Sequence, residues 1–193
     1  MQSLEVGRSH HSSTDNSQVV LVDQSDLELG VADKIHAHRG MGVLHRAFSL
    51  FLFREDGALL IQQRSANKLL WPEYWSNSCC SHPFPGEDII TAAERRAEEE
   101  LGVSITAEFV YKFNYHARYD AHYSERELCS VLCGLVKEKP RCDPEEVASY
   151  QFLPWQEIAH CLEREPLKYT PWLKLEWPIL LDKGYPQKIL LGN

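Results

Sequence analysis

Hydrophobic positions along this chain follow two periods, and the switch between them outlines its elements. Residues 47–53, Ala-Phe-Ser-Leu-Phe-Leu-Phe, form a near-continuous apolar strand. Asp56-Gly57 is a hairpin signal leading into a second apolar strand over 58–63. From Glu87 the period becomes helical. Ile89, Ile90, Ala93, Ala97 and Leu101 make one apolar arc, with Glu87, Asp88, Thr91, Glu94, Arg95 and Glu98 outside it. Gly102 stands where a left-handed residue ends a helix. Arg96 and Glu100 break the division: both fall in or beside the apolar arc, four residues apart, where side chains meet. A charge facing a core is costly unless it is paired or bound. Two readings follow: an ion pair bracing the helix, or Glu100 ligating a metal while Arg96 meets an anion.

The remaining pattern predicts a first strand over 19–23, a turn and extended piece over 26–31, and a glycine-interrupted, histidine-rich loop over 33–45. A basic connection with Arg64 and Lys68 leads to Trp71-Pro72 and a Pro/Gly-punctuated loop holding Cys79, Cys80 and His82. Extended pieces are expected over 103–106 and 108–115, and a longer strand over 125–136. In that strand the two-residue period puts Glu125 and Glu127 on the face of Cys129, Val131 and Cys133. A strand over 147–153 and helices over 155–162 and 171–181, the second with Trp172 and Trp177, complete the chain. No repeat or low-complexity linker divides it. One mixed α/β domain over 19–193 fits, preceded by a flexible polar tail, 1–18, in which His10 and His11 are incidental.

Composition narrows the function. A net charge of −8 argues against a nucleic-acid or anionic-membrane binder. No run approaches the ~18 apolar residues of a membrane span, and the polar start lacks the apolar stretch of a signal peptide. The expectation is a cytoplasmic protein, and without a heptad seam a monomer. Six cysteines in that compartment stay reduced, and their spacing matches no zinc finger. Cys79 and Cys80 differ from the rest because their loop also holds His82.

His38, His45, His82, Glu100, Glu125 and Glu127 are the polar residues out of place. Imidazole and carboxylate together suit divalent metals such as Mn²⁺, Zn²⁺ or Mg²⁺. Lys34, Arg64, Lys68 and Arg96 are cations able to hold phosphate oxygens.

At these residues the chain resembles known families. Glu87-x7-Arg95-Arg96-Ala-x-Glu99-Glu100-x-Gly102-Val103 is similar to a Nudix box, with Ser81 in place of the usual first glycine and Arg96 in place of a metal-binding glutamate. With Trp71-Pro72, Asn77-Ser-Cys-Cys80-Ser-His82-Pro83, Tyr115 and Glu125-x-Glu127, it resembles the type I isopentenyl-diphosphate isomerases. The resemblance implies an α+β fold of the Nudix type, a mixed sheet sandwiched between helices with N- and C-terminal additions. It implies interconversion of isopentenyl and dimethylallyl diphosphate in isoprene biosynthesis, by protonation and deprotonation.

It also implies roles. Cys80, Glu127, Tyr115 and Trp172 would be catalytic, and Cys79 a bystander. His38, His45, His82, Glu125 and Glu127 would hold a protein-bound Mn²⁺, Zn²⁺ or Mg²⁺. Glu100 and the Cys80 carbonyl would meet a Mg²⁺ arriving with the substrate. Lys34, Arg64, Lys68, Arg96 and Ser81 would bind the diphosphate substrate. Two other readings share some of these residues: a Nudix diphosphate hydrolase, and a metal-binding module without turnover.

Overall fold

A computed structural model describes residues 18–191. The tail expected over 1–18 lies, but for Gln18, outside the described residues. The chain runs β1 (Gln18–Val22), β2 (Glu28–Asp33), α1 (Lys34–His38), β3 (His45–Phe53), β4 (Ala58–Arg64), β5 (Trp75–Ser76), β6 (Cys79–Ser81) and α2 (Ile89–Leu101). It continues with β7 (Ala107–Arg118), β8 (Ser124–Leu135), β9 (Val147–Pro154), α3 (Trp155–Arg164), α4 (Pro171–Asp182) and α5 (Gln187–Leu191).

Among the described residues nine strands make one mixed sheet. β3 is its hub, pairing parallel with β8 from His45↔Glu127 to Phe53↔Leu135 and antiparallel with β1, β4 and β6. The apolar run of β3 is read on both faces. Phe48, Leu50 and Leu52 pack with Leu60 against Ala92, Ala93, Ala97 and Leu101 of α2. Phe51 and Phe53 pack with Leu59 and Ile61 against Ile158 of α3 and Leu173, Trp177 and Leu180 of α4. The sheet thus lies between helices, as a strand without polar alternation requires.

Helix α2 is closed at both ends. The Asp88 side chain accepts from Ile90 N at 2.9 Å and Thr91 N at 3.3 Å, while Gly102 turns left-handed at φ 63°. A Cβ at Gly102 would sit 2.7 Å from Arg141 O, so space as well as dihedral demands glycine.

Three expectations need correction. The histidine loop contains α1, because Asp33 caps it by accepting from His36 N at 3.0 Å. The cysteine loop contains the short strands β5 and β6; β6 adds to β3 at Ser49↔Cys80. Residues 103–106 are not a strand, since pairing with β8 starts at Ala107↔Gly134. Among the described residues no helix is long and apolar enough to cross a membrane.

Candidate active site

The parallel register of β3 and β8 sets His45 directly beside Glu127. Helix α1 brings His38 to them, and the residue after β6 brings His82. The His45 Nε2 lies 3.1 Å from His82 Nε2, and Glu127 Oε1 lies 3.4 Å from His82 Nε2 and 3.7 Å from His45 Nε2. One ligand atom each from His38, His45, His82 and Glu127 fall within 4.8 Å of one another, and all four residues are buried. Glu125 stands just outside that group, its Oε2 3.6 Å from His38 Nε2.

The outer nitrogens give the purpose away. His38 Nδ1 meets Lys34 O at 2.6 Å and His45 Nδ1 meets Val43 O at 2.7 Å. A carbonyl there keeps the proton on Nδ1, so Nε2 presents a lone pair toward the cluster. The His45 Nε2 lone pair so stands 3.1 Å from His82 Nε2, while His82 Nδ1 is buried with no partner of its own. The donor set therefore fits a divalent cation, and an imidazole–carboxylate mixture accepts several. Burial pushes both carboxyls up. At Glu125 burial and the neighbouring Glu127 prevail, whereas hydrogen bonds involving Glu125, His45 and Tyr115 overcome burial at Glu127 and hold it at about 2.

These residues line one side of a cavity of about 230 Å³, together with Lys34, Arg64, Lys68, Cys80, Ser81, Tyr115 and Trp172. The Tyr115 hydroxyl donates to Glu127 Oε2 at 2.7 Å. Cys80 sits in a cradle: its thiol donates to Asn77 Oδ1 at 3.0 Å, and Ser49 Oγ is 3.5 Å away. Burial, with Glu176 nearby, pushes that thiol up to about 12. Cys79 points to the opposite face and packs in the α2-side core.

Trp172 and Trp177 separate cleanly. Trp172 lines the cavity, its Nε1 donating to Ser76 Oγ at 3.0 Å and Asn77 Oδ1 at 3.1 Å. Trp177 packs by Phe51 and Phe53, farther along the same face of the sheet and away from the cavity wall. The Arg64 guanidinium lies 5.3 Å from the Trp172 ring and is anchored to Leu70 O at 2.9 Å and Trp71 O at 3.1 Å.

Arg96 and Glu100 lie on α2 behind this cavity rather than in its wall. Both are buried and paired at 2.5 Å. Arg96 also reaches Glu99 at 2.7 Å and Glu146 at 3.0 Å, and Lys68 pairs with the same Glu146. Burial would depress the Arg96 guanidinium, yet Glu100 and the other anions around it keep it above its ordinary value. Glu100 Oε2 is buried with no partner, an acceptor fit for a cation. Half-buried Lys34 is pulled below its usual value by burial and by Lys68. Glu87 and Arg95 brace the fold. Two hydrogen bonds of 2.7 and 2.8 Å, with Arg95 also 3.8 Å from the Phe84 ring, tie the loop before α2 to its middle.

Sequence reasoning missed Glu146 and Glu176. Glu146 sits in the connection before β9, where no period applies. Glu176 had a signal: it is a carboxylate one turn after Trp172, on the face of the helix that also carries Leu173, Trp177 and Leu180, the same anomaly as Glu100.

Known proteins share this architecture. A family model for the NUDIX domain matches residues 43–173. The chain is similar in fold to a crystal structure from Deinococcus radiodurans, with TM-score 0.66, 21% identity, and coverage of 83% of this chain and 97% of that one. The fold and box thus place it in the Nudix superfamily. Its sequence is 43% identical to isopentenyl-diphosphate Delta-isomerase 1 of Photorhabdus laumondii, covering 86% of this chain and 96% of that protein. It is also 41% identical to the isopentenyl-diphosphate Delta-isomerase of Streptomyces avermitilis, covering 84% of each. The chain belongs to the isopentenyl-diphosphate Delta-isomerase family.

Proposed function

We propose that this chain interconverts isopentenyl and dimethylallyl diphosphate by moving one proton onto the alkene and removing another. The observation that carries the reading is the wall of one cavity: Cys80 and the Tyr115–Glu127 pair share it with Lys34, Arg64, Lys68 and Trp172. An unactivated alkene needs an acid to protonate its terminal carbon, giving a tertiary carbocation, and a base to take a proton from the neighbouring methylene. Cys80 and Glu127 supply the two proton transfers; Tyr115 steadies the Glu127 carboxyl. Trp172 presents its aromatic surface to the cation, worth about 2 kcal/mol when desolvated. Burial keeps water, which would trap the cation, away.

Lys34, Arg64, Lys68, Arg96 and Ser81 would hold the unreacting diphosphate, so that remote binding energy aligns the carbons. His38, His45, His82, Glu125 and Glu127 would hold the resident Mn²⁺, Zn²⁺ or Mg²⁺, and Glu100 with the Cys80 carbonyl a Mg²⁺ entering with substrate. A bound divalent cation supplies positive charge that tunes the acidity of Glu127 and neutralises the diphosphate. Residues 19–193 act as one isomerase domain, monomeric and cytoplasmic in this reading.

Incubation with isopentenyl diphosphate and Mg²⁺ in deuterated water tests it. Deuterated dimethylallyl diphosphate is expected. Release of inorganic phosphate or pyrophosphate without isomerised product would instead establish a hydrolase, and no turnover a binding module.

A further inference from the structure

The backbone is strained where the chain passes Trp71-Pro72. Trp71 lies in the left-handed region at φ 46°, and Glu73 follows it there at φ 64°. Glycine enters that region freely, whereas a side chain crowds the following carbonyl, and a residue before proline is ordinarily extended. Such strain persists only where the surroundings fix it, and it gathers at functional sites. Trp71 is 5% exposed, so its ring is packed on every side and able to fix the backbone it hangs from.

The strained loop closes on Arg64. Arg64 N donates to Tyr74 O at 2.9 Å, and Glu73 N donates to Arg64 O at 3.1 Å. The Arg64 guanidinium donates to Leu70 O at 2.9 Å and to Trp71 O at 3.1 Å, the two carbonyls that flank the left-handed residue. In an extended chain successive carbonyls point to opposite sides, so the turn at Trp71 is what brings both onto one guanidinium. The side chain makes a second set of contacts. The Trp71 ring stands at 90° to Trp172 with centroids 5.3 Å apart, and meets Tyr119 at 5.1 Å. Perpendicular aromatic pairs at this spacing attract. Leu70 and Trp172 line the cavity, and Trp71 packs with both in one apolar cluster.

Resting on the isomerase reading, we propose that Trp71 is a positioning residue for both ends of the cavity: its left-handed backbone turns two carbonyls onto Arg64, and its indole holds the Trp172 ring in place. The two halves depend on each other. Tryptophan stays in a conformation that glycine adopts more easily because its ring is locked between Tyr119 and Trp172. Arg64 thereby keeps its direction toward a diphosphate, and the Trp172 ring keeps its place 5.3 Å from that guanidinium. Trp71 acts through these two residues and meets neither phosphate nor alkene itself.

The test uses the full chain loaded with its divalent metal, as wild type, W71G, W71A and W71F. Glycine loses the ring and keeps the left-handed turn, whereas alanine loses the ring that held it there and relaxes. Calorimetric titration with inorganic pyrophosphate and Mg²⁺ reads the Arg64 half. W71G should bind within about twofold of wild type, and W71A roughly tenfold more weakly. Hydrogen exchange of the Trp172 indole N–H, assigned by its loss in W172F, reads the other half. It should quicken roughly tenfold in W71G and return close to the wild-type rate in W71F. With isopentenyl diphosphate, kcat of W71G should fall at least about tenfold while KM stays within about twofold, and W71F should recover most of the loss. Equal pyrophosphate affinity in W71G and W71A, a Trp172 N–H that exchanges at the wild-type rate in W71G, or a W71F that recovers no more than W71G overturns the proposal. Absence of isomerisation in wild type would refute the proposed function, and the binding and exchange arms would still decide the place of Trp71.

Discussion

Replacing Arg96 with glutamate would restore the carboxylate that a hydrolytic Nudix box carries at this position, and the surroundings of Arg96 set what that costs. Among the described residues Arg96 is the only cation touching Glu99 and Glu100 together, and it also holds Glu146. The Glu99 carboxylate is 45% exposed, so its pairing adds no more than about 1 kcal/mol. Glu100 is different: at 1% exposure it is left without its partner in a dry place, and truncating one side of such a pair costs about 3–5 kcal/mol. For a domain of this size that is a loss of roughly 6–20 °C in melting temperature. R96E adds a fourth carboxylate to the three, and so creates a site that a divalent cation should fill. At about a hundredfold over its dissociation constant, Mg²⁺ would return roughly 2.7 kcal/mol. Thermal unfolding of wild type, R96M and R96E, with chelator and with Mg²⁺, separates these effects. R96M reads the lost pairing, and R96E should lose more without metal and regain more with it. If R96E melts within about 2 °C of wild type under chelation, or if Mg²⁺ raises both equally, the reasoning about this helix is wrong.

C80A should lower isomerisation by about a hundredfold or more, whereas C79A should keep turnover and lose about 1 kcal/mol of stability, because Cys79 is 0% exposed in the core beneath α2; equal loss of activity in both would show the wrong thiol was chosen. Dialysis against a chelator should remove activity, and H82Q should weaken metal uptake measured by elemental analysis; a fully active metal-free protein would dismiss the histidine cluster. Glu146 is held at about 2, below its ordinary 4.5, by Lys68 and Arg96, which overcome its burial. Its contribution is complete above 4.5 and is lost as pH falls from there toward 2, so the melting-temperature gap between wild type and E146Q should narrow steadily across that range. A gap that is constant with pH would mean that these pairs do not stabilise the fold.

Much of this was readable because burial leaves periodic traces. The apolar run of β3, the arc of α2 and the stop at Gly102 each follow from local rules, and the same wheel exposed Arg96 and Glu100 as misplaced. It could not choose between an ion pair and a ligand, and the structure shows why: Arg96 does pair with Glu100, while Glu100 Oε2 remains open. The strands β5 and β6 were illegible, since two or three residues have no period and pair only because β3 and β4 offer them an edge. Glu146 was illegible for the same reason: its meaning comes from Lys68, 78 residues away. The convergence of His38, His45, His82 and Glu127 is tertiary too, set by the β3–β8 register.

Trp172 illustrates how much of the site is orientation. An indole N–H left facing the cavity would be a donor to any water or anion there, and would set the positive edge of the ring toward a carbocation. Here the N–H is spent on Ser76 and Asn77, at 3.0 and 3.1 Å, within the same small network that receives the Cys80 thiol proton at Asn77 Oδ1. The edge of Trp71 packs at 90° to the ring with centroids 5.3 Å apart. One cation already lies over the indole, the Arg64 guanidinium, and it is pinned by two backbone carbonyls rather than by a carboxylate. That choice of anchor matters. A carboxylate partner would cancel the charge Arg64 offers a diphosphate, whereas carbonyls leave it whole. The aromatic surface and the phosphate-binding charge are thus oriented by one scaffold of loop carbonyls, Ser76 and Asn77, which also holds the thiol. A disturbance of Asn77 would therefore reach the sulfur and the ring together, and under the proposed function the Ser-Asn-Ser preceding Cys79 and Cys80 would belong to the catalytic apparatus as much as the thiol it carries.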